Sequence, residues 1–98
     1  MTEDDEASVS PELNELRNQI ANIDAELAKL ICRRLDLAQI AGEMKHTYGL
    51  PIHDTGVEKK NIARVKEMFK ALDQDEEAAE AIWKELMTWS LEVQKSWF

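Results

Sequence analysis

Two cations, Arg34 and Lys45, lie in the first long segment that has a helical pattern of apolar residues. These apolar residues repeat at three- and four-residue spacing from Leu13 to Met44 and form a stripe, in which Arg34 fills one position. A guanidinium that cannot lose its proton is costly to bury unless an anion meets it. Lys45 follows close to three helical turns later, so both side chains project from nearly the same face, roughly 16 Å apart along the axis.

These two side chains could converge on one small dianion bound between them. Two other readings stay open. Arg34 could form a buried ion pair with an aspartate or glutamate of a neighbouring helix. Lys45 could extend into solvent from the end of its helix, where a cation is favoured.

A third cation, Arg17, lies one turn into the same segment, beside Leu16 of the stripe. Taken alone it is typical of a solvated charge near Glu12. Arg17 and Arg34 are about 25 Å apart on a rigid helix. They could therefore share a ligand only if Arg17 came from a second, antiparallel chain.

Polar residues also recur at one-turn spacing on two later segments. Asp54 and Glu58 open the second helix, where capping explains them equally well, since Thr55 and Glu58 have the spacing of a capping box. Ser90 and Gln94 lie near the apolar face of the third, where a buried polar group needs a partner, such as water or a glutamate of the second helix. The whole set contains cations and donors without an evident base or nucleophile. It suits a reaction catalysed by electrostatic stabilisation and conformational restriction.

Composition excludes several other functions. The net charge of -8 argues against nucleic acid and anionic membranes as partners, and no apolar run approaches the about 20 residues of a membrane span. His46 and His53 have no metal-ligand spacing with Cys32, and no glycine loop or nucleophile elbow occurs, so neither a metal nor a cofactor is expected. One cysteine and no secretory pattern make the cytoplasm the expected compartment.

Three helices of long, short and medium length are predicted to position these residues. The first begins at Ser10-Pro11 and ends at Tyr48-Gly49, which makes it about 36 residues, or roughly 54 Å, long. The second runs from Asp54 to near Leu72. The third opens at Asp73, with Glu76 completing a capping box, and continues to the C-terminus. Its inward face is predicted to comprise Ala79, Ile82, Leu86, Trp89 and Val93.

The predicted fold class is therefore all-α, with one domain over residues 10–98 and a disordered acidic tail over residues 1–9. The first helix is longer than a small domain is wide. A homodimer is expected for that reason.

The chain resembles the all-helical, AroQ-type chorismate mutases over residues 10–98. Each matching block is short, but five occur in order without insertions. They are L-R-x-x-I-x-x-I-D at 16–24, C-R-R-x-x-L-A at 32–38, G-x-x-K at 42–45, P-I-x-D at 51–54 and S-x-x-x-Q at 90–94.

This resemblance implies an intertwined homodimer with two active sites that convert chorismate to prephenate, on the route to phenylalanine and tyrosine. Arg17 of one subunit and Arg34 of the other would clamp the two carboxylates. Lys45 and Gln94 would donate to the ether oxygen whose C–O bond breaks. The remaining roles implied are contacts to the ring hydroxyl from Asp54 and Glu58, and to a carboxylate from Ser90.

One position departs from the family pattern. The family commonly has an arginine immediately before the glutamate of the second helix, and here that residue is Val57. Three alternatives remain: an isochorismate pyruvate-lyase, a mutase of amino-substituted chorismate, and a non-enzymatic helical interaction module. In the last, Arg34 would have a protein carboxylate within reach, whereas a catalytic Arg34 would face an open pocket.

Overall fold

The protein is all-α, as predicted. A computed structural model describes residues 10–98, and the predicted tail over residues 1–9 lies outside this range. The helices are α1 (Pro11–Thr47), α2 (Thr55–Ala71) and α3 (Glu76–Gln94), followed by one turn of 3-10 helix, Lys95–Trp97. No helix in this range is long and apolar enough to cross a membrane.

Both ends of α1 form as predicted. The Ser10 hydroxyl accepts a hydrogen bond from the Leu13 N–H at 3.2 Å, which satisfies one of the free donors of the first turn. At the other end Gly49 adopts a left-handed φ of 67°. The N–H of Leu50 then donates to the carbonyl of Lys45 at 2.8 Å, and the N–H of Gly49 donates to that of His46 at 3.3 Å. This is the Schellman pattern, in which a glycine is strongly favoured.

The connection between α2 and α3 differs from the prediction. Asp73 does not cap α3; it ends α2 in a left-handed conformation with φ 57°, and its N–H donates to the Lys70 carbonyl at 3.0 Å. Asp75 is the cap of α3, because its side chain accepts from the N–H groups of Glu77 and Ala78 at 2.9 and 3.1 Å. Aspartate can fill either position, since its short side chain tolerates the left-handed region and also caps helices.

The chain divides into two compact units, and the boundary between them in the sequence lies after Cys32. In the first unit the initial part of α1 carries an apolar stripe along its surface. Its large aliphatic side chains are 50% to 58% exposed, and they are Leu16, Ile20, Ile23, Leu27 and Leu30.

The second unit, Arg33–Phe98, contains a small core between α2 and α3. Val65 and Ala79 are its fully buried apolar residues. Phe69 and Trp83 meet edge to face, with ring centroids 5.5 Å apart, a geometry that aromatic pairs favour.

The predicted inward face of α3 is wrong at two positions. Ile82 and Trp89 are 56% and 52% exposed, whereas Ser90 and Gln94 are buried together with Ala79. The helix is turned so that its polar positions face the interior of this unit. Hydrophobic spacing alone favoured the apolar face, which here remains on the surface.

Charged side chains also connect α2 with α3. Lys66 of α2 lies 3.2 Å from Glu77 and 3.5 Å from Glu80 of α3, and Lys84 lies 2.8 Å from Glu80. The hydrogen bond from Lys84, followed by the charges of Lys84 and Lys66, lowers the pKa of Glu80.

We expect Glu80→Gln to lower the melting temperature at pH 7. A carboxyl whose pKa is depressed by folding stabilises the protein above its unfolded pKa, and this contribution is lost as the pH falls through the folded value. The difference between wild type and variant should therefore shrink below about pH 4. It should also shrink at about 1 M salt.

Thermal melts monitored by circular dichroism would measure this difference. Glu85→Gln is the matched control, because Glu85 lies on the same helix without an ion pair among residues 10–98. Equal effects of the two substitutions, or a difference independent of pH, would contradict the assignment.

Candidate functional site

A cavity of about 480 Å³ in the second unit collects most of the predicted site residues. Its volume is in the range of small-molecule sites. Six of the seven residues line it: Arg34, Lys45, Asp54, Glu58, Ser90 and Gln94. Arg17 belongs to the first unit and is not among the lining residues. The walls also include aliphatic side chains such as Leu37, Val57 and Leu91, which suit the faces of a carbon ring.

Arg34 is held at the cavity by Ser90. Its Nη1 donates to Ser90 Oγ at 2.6 Å, and the Ser90 hydroxyl donates to the Leu86 carbonyl at 2.8 Å. Ser90 is 7% exposed, so these partners satisfy a buried hydroxyl. Among the described residues its partners are thus Arg34 and a backbone carbonyl, and no glutamate of α2 is one of them.

Arg34 makes no ion pair with a carboxylate among residues 10–98. Burial lowers the pKa of the guanidinium, and the nearby cation Arg64 lowers it further. An arginine nevertheless stays protonated in proteins. The cavity therefore holds a partly desolvated positive charge that an anionic ligand would stabilise.

Lys45 and Gln94 form a second polar pair at the cavity. The Lys45 ammonium donates to Gln94 Oε1 at 2.7 Å and to the Ile52 carbonyl at 3.0 Å. The Gln94 amide nitrogen donates to the Ser90 carbonyl at 3.2 Å. Since an ammonium has three N–H donors and a primary amide two, each group keeps one N–H for a ligand.

The backbone at Gly42 allows this pair to form. A Cβ at position 42 would lie 3.0 Å from Cα, Cβ and Cγ of Gln94, so α1 and α3 approach each other at the glycine. Gly42 is buried, and Lys45 follows on the next turn. The sequence analysis noted Gly42 only as part of the motif at 42–45. A glycine inside a helical pattern is the signal that would have indicated close packing here.

Asp54 is the N-cap of α2, which was one of the two interpretations of its position. Its Oδ1 accepts from the N–H groups of Gly56 and Val57 at 3.0 and 3.1 Å. Its second oxygen, Oδ2, is left for other partners. Asp54 thus fixes the start of α2 while it lines the cavity.

Glu58 does not complete a capping box with Thr55. Its carboxylate instead accepts a hydrogen bond from His53 Nε2, with 2.7 Å between Nε2 and Oε1. His53 also lines the cavity. This pair was not predicted from the sequence, where His53 was considered only as a metal ligand.

The first unit contains one unusual polar group. Nη1 of Arg17 is buried and has no hydrogen-bond partner among the described residues. A buried donor on a charged group is costly when it is unpaired.

Among residues 10–98, no three His, Cys, Asp or Glu side chains lie close enough together to bind a metal ion.

These features are those of a small-anion site on a helical scaffold. The model of the family described as chorismate mutase type II matches residues 16–95. The chain belongs to this family, and it is an enzyme of the isomerase class.

Individual relatives agree with this assignment. The chain is 33% identical over 85 residues to a chorismate mutase of Methanocaldococcus jannaschii, an alignment that spans 87% of this chain and 86% of that protein. It is 33% identical to the bifunctional chorismate mutase/prephenate dehydratase of Aquifex aeolicus over 86% of this chain, but only 24% of that protein. A T-protein of Enterobacter agglomerans is 34% identical over 78% of this chain and 20% of its own length. No solved structure matches significantly.

We expect Gly42→Ala to reduce both stability and turnover of chorismate. The added methyl group would push Gln94 away, at a cost of about 1–3 kcal/mol for overpacking. The displaced amide would also be misaligned with Lys45 and with the reacting ether oxygen, so kcat should fall about tenfold. Urea unfolding and steady-state kinetics would measure the two effects.

Gly49→Ala is the matched control for this substitution. It strains a left-handed residue by roughly 1–2 kcal/mol, but a methyl group there meets no atom within 4 Å. Gly49→Ala should therefore lower the stability and leave kcat unchanged. If both variants kept wild-type kcat, the close approach at Gly42 would have no part in positioning the site.

Proposed function

We propose that this protein converts chorismate to prephenate in the cavity that Arg34 and Lys45 line. The observation that carries the proposal is the state of Arg34, which lines the cavity, bonds to the buried Ser90 hydroxyl and has no carboxylate partner among residues 10–98. A pocket with this chemistry favours a small dicarboxylate. Family membership supplies the identity of that dicarboxylate.

The reaction is an intramolecular rearrangement that neither adds nor removes atoms. The ether C–O bond of chorismate breaks while a new C–C bond forms within the same molecule. The protein therefore needs no nucleophile or base; it must hold the compact conformer and stabilise negative charge on the ether oxygen. The remaining N–H groups of Lys45 and Gln94 suit the second task. Their own partners hold them in place before the ligand binds.

The other lining residues would bind and orient the substrate. Arg34 would bind one carboxylate through a charge-assisted hydrogen bond. Because the Ser90 hydroxyl already donates to the Leu86 carbonyl, we assign Ser90 to orienting Arg34. Glu58 and the second oxygen of Asp54 would accept from the ring hydroxyl.

We further propose that the active form is a homodimer in which Arg17 acts across the interface. The exposed apolar stripe on the first part of α1 supports an association of copies, because soluble monomers rarely leave so large an apolar surface in water. The unpaired Nη1 of Arg17 supports a partner for this group. A second carboxylate of the substrate would be such a partner, since it matches a guanidinium in charge and geometry.

The direct test is incubation of the purified protein with chorismate and, separately, with isochorismate. We expect prephenate from chorismate and no pyruvate from isochorismate. Product identification by chromatography and mass spectrometry distinguishes the two reactions. Release of pyruvate from isochorismate without prephenate formation would instead identify a lyase, and inactivity on both would refute the proposal.

Complementation between variants tests the trans role of Arg17. Arg17→Ala and Arg34→Ala homodimers should each be nearly inactive. After unfolding and refolding together, roughly half the dimers would be mixed, each with one intact site of two. Activity should therefore return to roughly a quarter of wild type.

Refolding each variant alone is the control, and it should restore no activity. Native mass spectrometry would confirm that mixed dimers formed. Continued inactivity of confirmed mixed dimers would show that both arginines serve the same chain's site.

A further inference from the structure

His53 and Glu58 form a hydrogen-bonded pair at the cavity that no assigned role explains. His53 Nε2 lies 2.7 Å from Glu58 Oε1, and both residues line the cavity. His53 directly precedes the capping residue Asp54, and Glu58 lies in the first turn of α2.

This pair contributes little to the fold. Both side chains are partly exposed, at 48% and 39%, and exposed ion pairs add little stability. The first turn of α2 is already satisfied, because Asp54 Oδ1 accepts two of its N–H groups. The N–H of Glu58 itself donates to the Asp54 carbonyl at 3.1 Å.

The effect of the pair therefore falls on the Glu58 carboxylate. A partly exposed glutamate has several rotamers, and a charge-assisted bond to one oxygen selects among them. With Oε1 held by His53, the second oxygen is left for a ligand. The residue directly before Glu58 is Val57, whose apolar side chain cannot donate a hydrogen bond to the carboxylate.

We propose that His53 is a positioning residue that holds Glu58 through Oε1, so that Oε2 accepts a hydrogen bond from the ring hydroxyl of the substrate. This inference rests on the proposed function. It predicts an effect on binding, because the ring hydroxyl does not take part in the bonds that break and form.

Kinetics on chorismate with a double-mutant cycle test the role. His53→Phe keeps the ring shape and removes the donor, and it should raise KM about tenfold with kcat changed less than about twofold. His53→Gln keeps an N–H donor on a side chain of similar reach and should recover most of that loss. In a Glu58→Gln background His53→Phe should change KM less than about twofold.

His46→Phe is the matched control. His46 is the other histidine; it stacks edge to face on Phe98 and does not line the cavity. The substitution should leave both kinetic constants unchanged. Thermal melts of all variants separate effects on binding from effects on folding.

Three results would overturn the inference: an unchanged KM in His53→Phe, an equal loss in the Glu58→Gln background, or no recovery in His53→Gln. Each leaves the proposed function intact if wild type makes prephenate. A wild type without turnover of chorismate would overturn the proposed function, and this inference with it.

Discussion

The close approach of α1 to α3 at Gly42 is the constraint on which the candidate site depends. With no side chain at position 42, the backbone and side chain of Gln94 can lie against α1. The Gln94 amide then comes within reach of Lys45, which follows on the next turn of the same helix. A side chain at position 42 would meet Gln94 at 3.0 Å, so Gln94 would have to move by a few tenths of an ångström and the bond from Lys45 would be weakened.

Hydrogen bonds between the site residues solve a second physical problem. Ser90 and Gln94 are buried at the cavity and Arg34 and Lys45 are part-buried there, so each of the four needs partners. Arg34 donates to Ser90, and Lys45 donates to Gln94. Backbone carbonyls accept further hydrogen bonds from Lys45, Ser90 and Gln94. No carboxylate neutralises the two cations within these bonds. The positive potential therefore remains available to a ligand, and the groups need little rearrangement when it binds.

Local signals in the sequence predicted most of the backbone. Ser10, Pro11 and Gly49 define the ends of α1 as expected, because capping depends on a few adjacent residues. The start of α3 was predicted at Asp73, whereas Asp75 is the cap, because aspartate suits both the end of α2 and the start of α3.

Long-range geometry was harder to predict. Apolar spacing on α3 favoured Ile82 and Trp89 as inward positions, whereas the polar residues Ser90 and Gln94 are buried. Periodicity identifies an apolar face but not the surface that covers it. Five of the six cavity residues were predicted together because the family motifs include them, and Glu58 was added by its spacing of one helical turn from Asp54. The bond from His53 to Glu58 was missed because it joins side chains at a spacing typical of neither a helix nor a strand.

The short connection between α2 and α3 has a consequence for how the chain folds. Only residues 72–75 separate the two helices, so bringing Phe69 against Trp83 closes a small loop and costs little chain entropy. Contacts between residues near each other in sequence form quickly. This hairpin can therefore assemble within one molecule at a rate independent of protein concentration, while burial of the stripe on α1 in the proposed homodimer would be a bimolecular step. Dilution would slow the second process and leave the first unchanged.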